Sequence, residues 1–188
     1  MHFLLLLALT ALTATALPAI AQDRAEIAAG AALSTDVFGA PWSPEPGLTL
    51  RLSLPVHGGV ADAALGVLPF RSDDPLTPDF LLATATAGWG PRLAVGAAAL
   101  TPTARLGSAV FRFEPDVDNP ELNLVVNEFE VAVGASLRGE VSVGRVLLWA
   151  EGAALRVALR EPVTLPSLGA GVGLRFGVPP LVRRLLDE

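Results

Sequence analysis

The chain has 188 residues, enough for one domain, and 19 acidic against 13 basic residues give it a net charge of -6. All basic residues are Arg and they form no basic cluster, which makes the chain a poor candidate for nucleic-acid binding. The absence of Cys excludes disulfides and thiolate metal sites. Apolar residues make up 52% of the chain, yet beyond the N-terminus no apolar run reaches the ~18 residues of a membrane helix.

The N-terminus has the pattern of a signal peptide. Residues 3–17 are apolar, and Pro18 and the small-x-small cleavage site Ala19-Ile20-Ala21 follow them. We expect residues 1–21 to be cleaved and the exported chain to begin at Gln22. The alternative, a retained anchor, is disfavoured by the proline and by the shortness of the apolar run.

The first two predicted strands alternate between an apolar and a small or polar face. In strand 24–34, Arg24 and Glu26 share the face opposite the aliphatic residues. In strand 47–56, Leu occupies nearly every second position and Arg51 lies on the other face. A period of two indicates strands with two chemically different faces.

Three further strands are predicted in the middle of the chain. The third covers about 60–70 after a tight turn at 57–59, and the fourth covers about 80–88. The fifth begins at Arg92 and extends as far as Phe113, with a break expected near Pro102.

The last three strands complete a set of eight. Strand six, about 122–138, carries Glu128, Glu130 and Arg138 on its small face and ends at an expected turn, Gly139-Glu140. Strand seven, about 141–157, has an unclear alternation, so a bulge or an exit from the bilayer is expected. Strand eight, 167–178, alternates aliphatic residues with glycines and Arg175.

The connections between these strands alternate in length. Long, proline-containing or acidic loops follow strands one, three, five and seven, and short turns follow strands two, four and six. This asymmetry is typical of transmembrane barrels with short periplasmic turns and long external loops. The pattern predicts an all-β fold, an eight-stranded antiparallel up-and-down transmembrane β-barrel over residues 22–178, with a periplasmic tail at 179–188.

The glycines of strand eight decide which face points inward. In a soluble barrel or sandwich, Gly169, Gly171 and Gly173 would face water, where glycine in a strand costs entropy and covers nothing. Inside a narrow membrane barrel, the same residues leave room for long side chains from neighbouring strands. We therefore expect a lumen-facing charge network, formed by Arg24, Glu26, Arg51, Arg92, Glu128, Glu130, Arg138 and Arg175.

The end of strand eight has a glycine, an aromatic and a last apolar residue at Gly173, Phe176 and Val178. With the leader and the eight alternating segments over 24–178, it resembles the small outer-membrane β-barrels, the superfamily of the outer membrane protein A transmembrane domain. The resemblance implies that these three residues are an assembly signal for the barrel-assembly machinery, that outer-membrane lipid surrounds the barrel, and that both termini are periplasmic. The chain departs from the pattern in its tail after residue 178 and in its lack of Tyr.

No group of residues points to an enzyme or to a cofactor. His57 lies in a predicted turn without a nucleophile beside it, and the acidic loop 114–121 lacks the glycine and distal glutamate of a helix-loop-helix calcium site. We expect a structural or surface-contact role through the external loops, with the lumen closed by paired Arg and Glu. Two alternatives stay open, a small-solute pore or ligand-binding barrel and a secreted soluble β-barrel.

Overall fold

A computed structural model describes residues 24–56, 58–113 and 127–178. Within them the chain forms ten strands, whose bounds are β1 Arg24–Ser34, β2 Trp42–Pro44, β3 Gly47–Val56, β4 Gly59–Ser72, β5 Phe80–Gly90, β6 Leu93–Val95, β7 Ala98–Phe113, β8 Glu128–Val143, β9 Val146–Val157 and β10 Val163–Gly177. No helix in these segments has the length and apolarity needed to cross a membrane.

Eight of the strands close into an antiparallel barrel. The pairing order is β1, β3, β4, β5, β7, β8, β9 and β10, and β10 pairs again with β1 from Arg24 opposite Gly177 to Ser34 opposite Ser167. Every neighbour in the barrel is also the next barrel strand along the chain. The predicted eight-stranded up-and-down barrel is therefore confirmed, and the two short strands β2 and β6 are additions to it.

The two ends of the barrel differ. The end that holds Arg24 and Gly177, called the terminal end here, carries the short connections from β3 to β4 and from β8 to β9, and the β6–β7 hairpin. The opposite end, called the loop end, carries the connections 35–46, 73–79 and 158–162, and β7 ends and β8 begins there, at Phe113 and Glu128. The β5–β7 register continues into β6, because Trp89 faces Ala104 and Leu93 faces Leu100. β5 and β6 are thus one interrupted strand.

The alternation of side chains confirms which face is aliphatic and which is enclosed. Leu174 is 55% exposed on the outer wall, whereas the side chain of Arg175 is only 17% exposed and contacts acidic groups inside the barrel. A soluble barrel would have the opposite arrangement. Among the described residues, every exposed large hydrophobic side chain except Leu76 lies on a strand. The outer wall therefore presents apolar side chains to its surroundings, as a lipid-facing barrel requires.

Four details of the predicted strands were wrong. Strand five does not begin at Arg92, because residues 93–95 form β6, which continues β5, and β7 begins at Ala98. β8 does not turn at Gly139-Glu140 but continues to Val143, and the turn follows at Gly144, which has a φ of 63°. β9 contains no bulge, since its registers with β8 and β10 run without interruption. Pro102 does not break β7, because it lies opposite the interruption between β5 and β6, where an amide donor is not required.

Candidate functional site

The half of the barrel interior towards the terminal end is filled by charged side chains. Each comes from an inward position of a barrel strand or, for Arg92, from the interruption between β5 and β6. The four acidic and five basic members are Glu26, Asp62, Glu140, Glu151, Arg51, Arg92, Arg105, Arg138 and Arg175. They are called the charge cluster below.

One part of the charge cluster lies close to the terminal end and is built on Glu26 and Glu140. The Nε atom of Arg175 donates to Glu26 at 2.8 Å, and its Nη2 atom donates to Glu140 at 2.9 Å. Arg92 bridges the same two carboxylates, with 2.7 Å from its Nη1 atom to Glu26. Arg138 completes the group at 3.5 and 3.4 Å from Glu26 and Glu140.

The second part lies deeper and is built on Asp62 and Glu151. The Nη2 atom of Arg105 is 2.9 Å from Asp62, and its Nε atom donates to Ser136 at 2.9 Å. The Nη2 atom of Arg51 donates to Glu151 at 2.6 Å. Each arginine has at least two hydrogen-bond or ionic partners, which offsets part of the cost of removing its charge from water.

Trp149 lies between these two parts. The guanidinium carbons of Arg51 and Arg138 are both 5.8 Å from the centroid of its ring, a cation–π distance. The ring packs against the inner wall at Gly30 and Gly169, on β1 and β10. The prediction that the small face leaves room for long side chains from neighbouring strands is confirmed by this contact.

The half of the interior towards the loop end is apolar and aromatic. Phe38, from the connection between β1 and β3, meets Phe70, Phe80 and Phe111 edge to face at centroid distances of 5.2, 5.4 and 5.9 Å. Trp42, from the same connection, packs on Phe80 at 5.6 Å, and its Nε1 atom donates to the carbonyl of Pro78 at 3.0 Å. These contacts fold the connection across the end of the barrel. The side chains that make them are called the aromatic cluster below, and they are Phe38, Trp42, Phe70, Phe80 and Phe111.

A third ordered feature is the connection between β4 and β5 at the loop end. Asp74 accepts hydrogen bonds from the amide of Leu76 at 3.0 Å and from the hydroxyl of Thr77 at 2.9 Å. These two hydrogen bonds hold the pKa of the Asp74 carboxyl below its ordinary value, and the bond from the Leu76 amide has the larger effect. Asp79 accepts from the amide of Ser72 at 2.7 Å. The result is a structured tip on which the side chain of Leu76 is 66% exposed.

No known family profile and no curated protein matches the chain. Solved structures do match it, although at low sequence identity. Ail, the attachment invasion locus protein of Yersinia pestis, aligns at a TM-score of 0.56 and 14% identity, covering 82% of this chain and 99% of Ail. Neisserial surface protein A aligns at 0.55 and 15%, covering 81% and 96%. The N-terminal β-barrel domain of Pseudomonas aeruginosa OprF aligns at 0.50 and 14%, covering 82% and 98%.

The chain has the fold of the small outer-membrane barrels. Nearly the whole length of each of these barrels is matched, so the likeness extends to the complete barrel. At these identities it concerns the fold, and the roles of individual residues depend on the geometry of this chain.

The structure brings five of the eight predicted network residues into the charge cluster, and three lie outside it. Arg24 is exposed at the terminal end. Glu128 is exposed and Glu130 half-buried near the loop end of β8, far from the cluster along the barrel axis. Among the described residues none of the three has an ion-pair partner. Alternation identified the face that a residue occupies, but not its depth in the barrel.

Sequence reasoning missed four members of the charge cluster. Asp62 sits among alanines in β4, and Arg105 lies in a segment where a break was expected. Glu140 was assigned to a turn, and Glu151 to a strand of unclear alternation. A period of two extended through Gly139 would have placed Glu140 on the inward face with Arg138. Counted from Arg92, the same period places Arg105 outward, because the hairpin between β6 and β7 separates the two residues.

The remaining predicted features are partly outside the described residues. Gly173 is buried and Phe176 is 42% exposed on the outer wall beside the terminal end, while Val178 follows directly after β10. Their use as an assembly signal stays a prediction. The leader 1–21, His57, the acidic loop 114–121 and the tail 179–188 lie outside the described residues. Within the described part of the chain, no three His, Asp or Glu side chains are placed to hold a metal.

Proposed function

We propose that this chain is an outer-membrane barrel whose role is structural or one of surface contact, made through the connections at the loop end. In this proposal residues 1–21 are a cleaved signal peptide, residues 22–178 form the barrel, and the tail 179–188 is periplasmic. The apolar outer wall, the closed pairing and the likeness to small outer-membrane barrels support a location in the outer membrane.

The observation that carries the proposal is the filled interior. Paired Arg and acidic side chains occupy the half towards the terminal end, and the aromatic cluster occupies the half towards the loop end. Eight strands leave an interior just wide enough for such side chains. A barrel filled in this way has little room for a water path, so its contacts with other molecules are made on its outer surfaces.

The loop end offers an ordered surface for such contacts. The connection 73–79 uses its own Asp and Thr side chains for internal hydrogen bonds and leaves Leu76 exposed at its tip. An ordered loop loses less conformational entropy on binding than a mobile one. These residues do not identify a partner. We propose a non-enzymatic role because the sequence predicts no nucleophile beside His57.

Cysteine labelling tests the location and the orientation together. The chain has no Cys, so Leu76→Cys and Arg145→Cys each create a single thiol at opposite ends of the barrel. We expect a membrane-impermeant maleimide to label Leu76→Cys on intact cells and to label Arg145→Cys only after the outer membrane is permeabilised. If Arg145→Cys were labelled on intact cells and Leu76→Cys only after permeabilisation, the barrel would have the opposite orientation.

Fractionation and conductance test the remaining parts. We expect the protein in outer membranes, with an N-terminus at Gln22 and with folded and heated forms that migrate differently on a detergent gel. In planar bilayers the purified protein should not conduct across the usual range of voltages. Recovery as a detergent-free monomer would favour the secreted soluble barrel, and stable single-channel steps would favour the pore.

A further inference from the structure

The outer wall of the barrel contains a groove in the half towards the loop end. Its volume is about 650 Å³, and it crosses β8, β9, β10 and β1. The floor is made by Gly152 and Ala154 of β9, and the sides are made by Leu33, Leu137 and Leu168.

The registers explain why the wall is hollow here. Gly152 lies opposite Leu137 on one side and Leu168 on the other, so two long side chains flank a position without a side chain. Ala154 continues the floor towards the loop end, opposite Ala135 and Pro166. In a bilayer this space is filled by hydrocarbon, because unfilled contact surface loses dispersion energy and the mostly apolar lining offers water few polar partners.

Arg156 stands at the upper end of this groove. It is the next outward residue of β9 after Ala154, about 7 Å further towards the loop end, and it is exposed. Within the described residues no carboxylate is within ion-pair distance of it. An Arg on the lipid face is costly at the midplane and nearly without cost at the interface. Arg156 is the second-last residue of β9, so this cost favours a position at the level of lipid head groups, where it is available to an anion.

We propose that the groove and Arg156 together bind one phosphorylated, multiply acylated glycolipid of the lipid A type in the outer leaflet, with an acyl chain on Gly152 and a phosphate at Arg156. The outer leaflet follows from the proposed orientation of the barrel, so this inference rests on the proposed function. Phosphate is recognised by guanidinium through charge-assisted hydrogen bonds, and the apolar groove recognises the chain below it.

Two other arginines at outward strand positions near the loop end differ from Arg156, and a further exposed one, Arg160, lies beyond the strands in the connection 158–162. Arg71 is already engaged with Glu45 at 2.7 Å. Arg112 is exposed on the outer face of β7, which does not line the groove. Arg112→Gln is therefore a matched control for the loss of an outward charge at this end.

The test measures lipid retention by native mass spectrometry on the purified, folded protein in mild detergent. The probes are lipid A, dephosphorylated lipid A and phosphatidylethanolamine. We expect one lipid A per barrel, with about tenfold weaker retention in Arg156→Gln and no change in Arg112→Gln. The unchanged protein and Arg156→Gln should bind dephosphorylated lipid A with equal affinity, and this affinity should be lower than that of the unchanged protein for lipid A.

A second variant fills the groove without disturbing the strand. A Cβ atom at Gly152 would meet the Leu168 Cδ2 atom at 3.6 Å, an ordinary contact, so Gly152→Leu should fold, as heat-modifiable migration will verify. It should lower retention of both lipid A forms, whereas Ala87→Leu on the outer face of β5 should not.

Three outcomes would overturn the inference. They are unchanged retention in folded Gly152→Leu, equal losses in the Arg156 and Arg112 variants, and a preference for phosphatidylethanolamine. The labelling of Leu76→Cys and Arg145→Cys reads the orientation independently. Correct orientation without lipid A retention would leave the proposed function standing and remove only this site.

Discussion

The ring of Trp149 lies directly on Gly169 of the neighbouring strand. A Cβ atom at Gly169 would be 3.3 Å from Cζ3 of the ring, and one at Gly30 would be 2.6 Å from Cζ2. The glycines of β1 and β10 thus form the surface on which the largest side chain of the interior rests. Because Arg51 and Arg138 pack on the same ring, the position of the ring also affects the charge cluster.

Replacing Gly30 by Ala should therefore destabilise the barrel. The added methyl group would meet both the Trp149 ring and the backbone of Ala170, and the backbone cannot move away cheaply. We expect a loss of about 1 to 3 kcal/mol in the free energy of unfolding, measured by urea titration in lipid vesicles. Gly152→Ala is the matched control, since its methyl group finds ordinary contact distance. Equal stability of the two variants would contradict the packing described here.

Removing one acid from the charge cluster should cost more than removing an exposed one. Glu140→Gln leaves Arg92 and Arg175 with one carboxylate fewer in a buried site, which costs about 3 to 5 kcal/mol in comparable cases. Glu45→Gln breaks the exposed pair with Arg71 and should cost no more than about 1 kcal/mol. The same urea titration compares them, and similar losses would mean that the cluster is hydrated.

Arg24 offers a test of depth within the barrel. It was predicted to join the lumen network, but it is exposed at the terminal end and pairs with no described carboxylate. Arg24→Gln should therefore change the free energy of unfolding by less than about 0.5 kcal/mol. Arg138→Gln, which breaks contacts with Glu26 and Glu140, should cost several times more. A large loss of unfolding free energy in Arg24→Gln would mean that Arg24 does belong to the lumen network.

Phe38 should hold its loop against the end of the barrel. Phe38→Ala removes the three edge-to-face contacts and should cost about 2 to 4 kcal/mol, because the aromatic cluster cannot collapse fully around the missing ring. We also expect faster protease cleavage within residues 35–46. Phe129→Ala, on the outer wall, is the control and should leave that cleavage unchanged.

The loop tip at Asp74 should respond to acid with a defined sign. Its pKa is lowered in the folded loop, so the carboxylate stabilises the loop above its ordinary pKa, and this contribution is lost as the pH falls through the lowered value. The amide resonance of Leu76 should follow that titration in detergent-solubilised protein, with a midpoint below the ordinary Asp value. In Asp74→Asn, which keeps an acceptor but cannot titrate, the transition should disappear.

Much of the barrel was predictable because the lipid-facing wall repeats one simple rule. Alternation in strands 24–34 and 47–56 predicted both the bounds and the faces of β1 and β3, which agree with the structure. The prediction failed at residues whose type by itself favours a turn or a break in a strand. Gly139 and Pro102 suggested a turn and a break, yet pairing on neighbouring strands kept both inside regular strands.

By itself, the sequence determined the number of barrel strands, their alternation and the inward face of Glu26, Arg51 and Arg175, because a period of two depends only on backbone geometry. Only the tertiary structure decided which charges meet. The contacts of Arg105 with Asp62 and of Arg175 with Glu140 depend on barrel closure and strand stagger, which bring together residues 43 and 35 positions apart. Barrel closure also pairs β1 with β10, so that the Trp149 ring of β9 rests on Gly169 of the next strand and on Gly30 of a strand more than 100 residues earlier in the sequence.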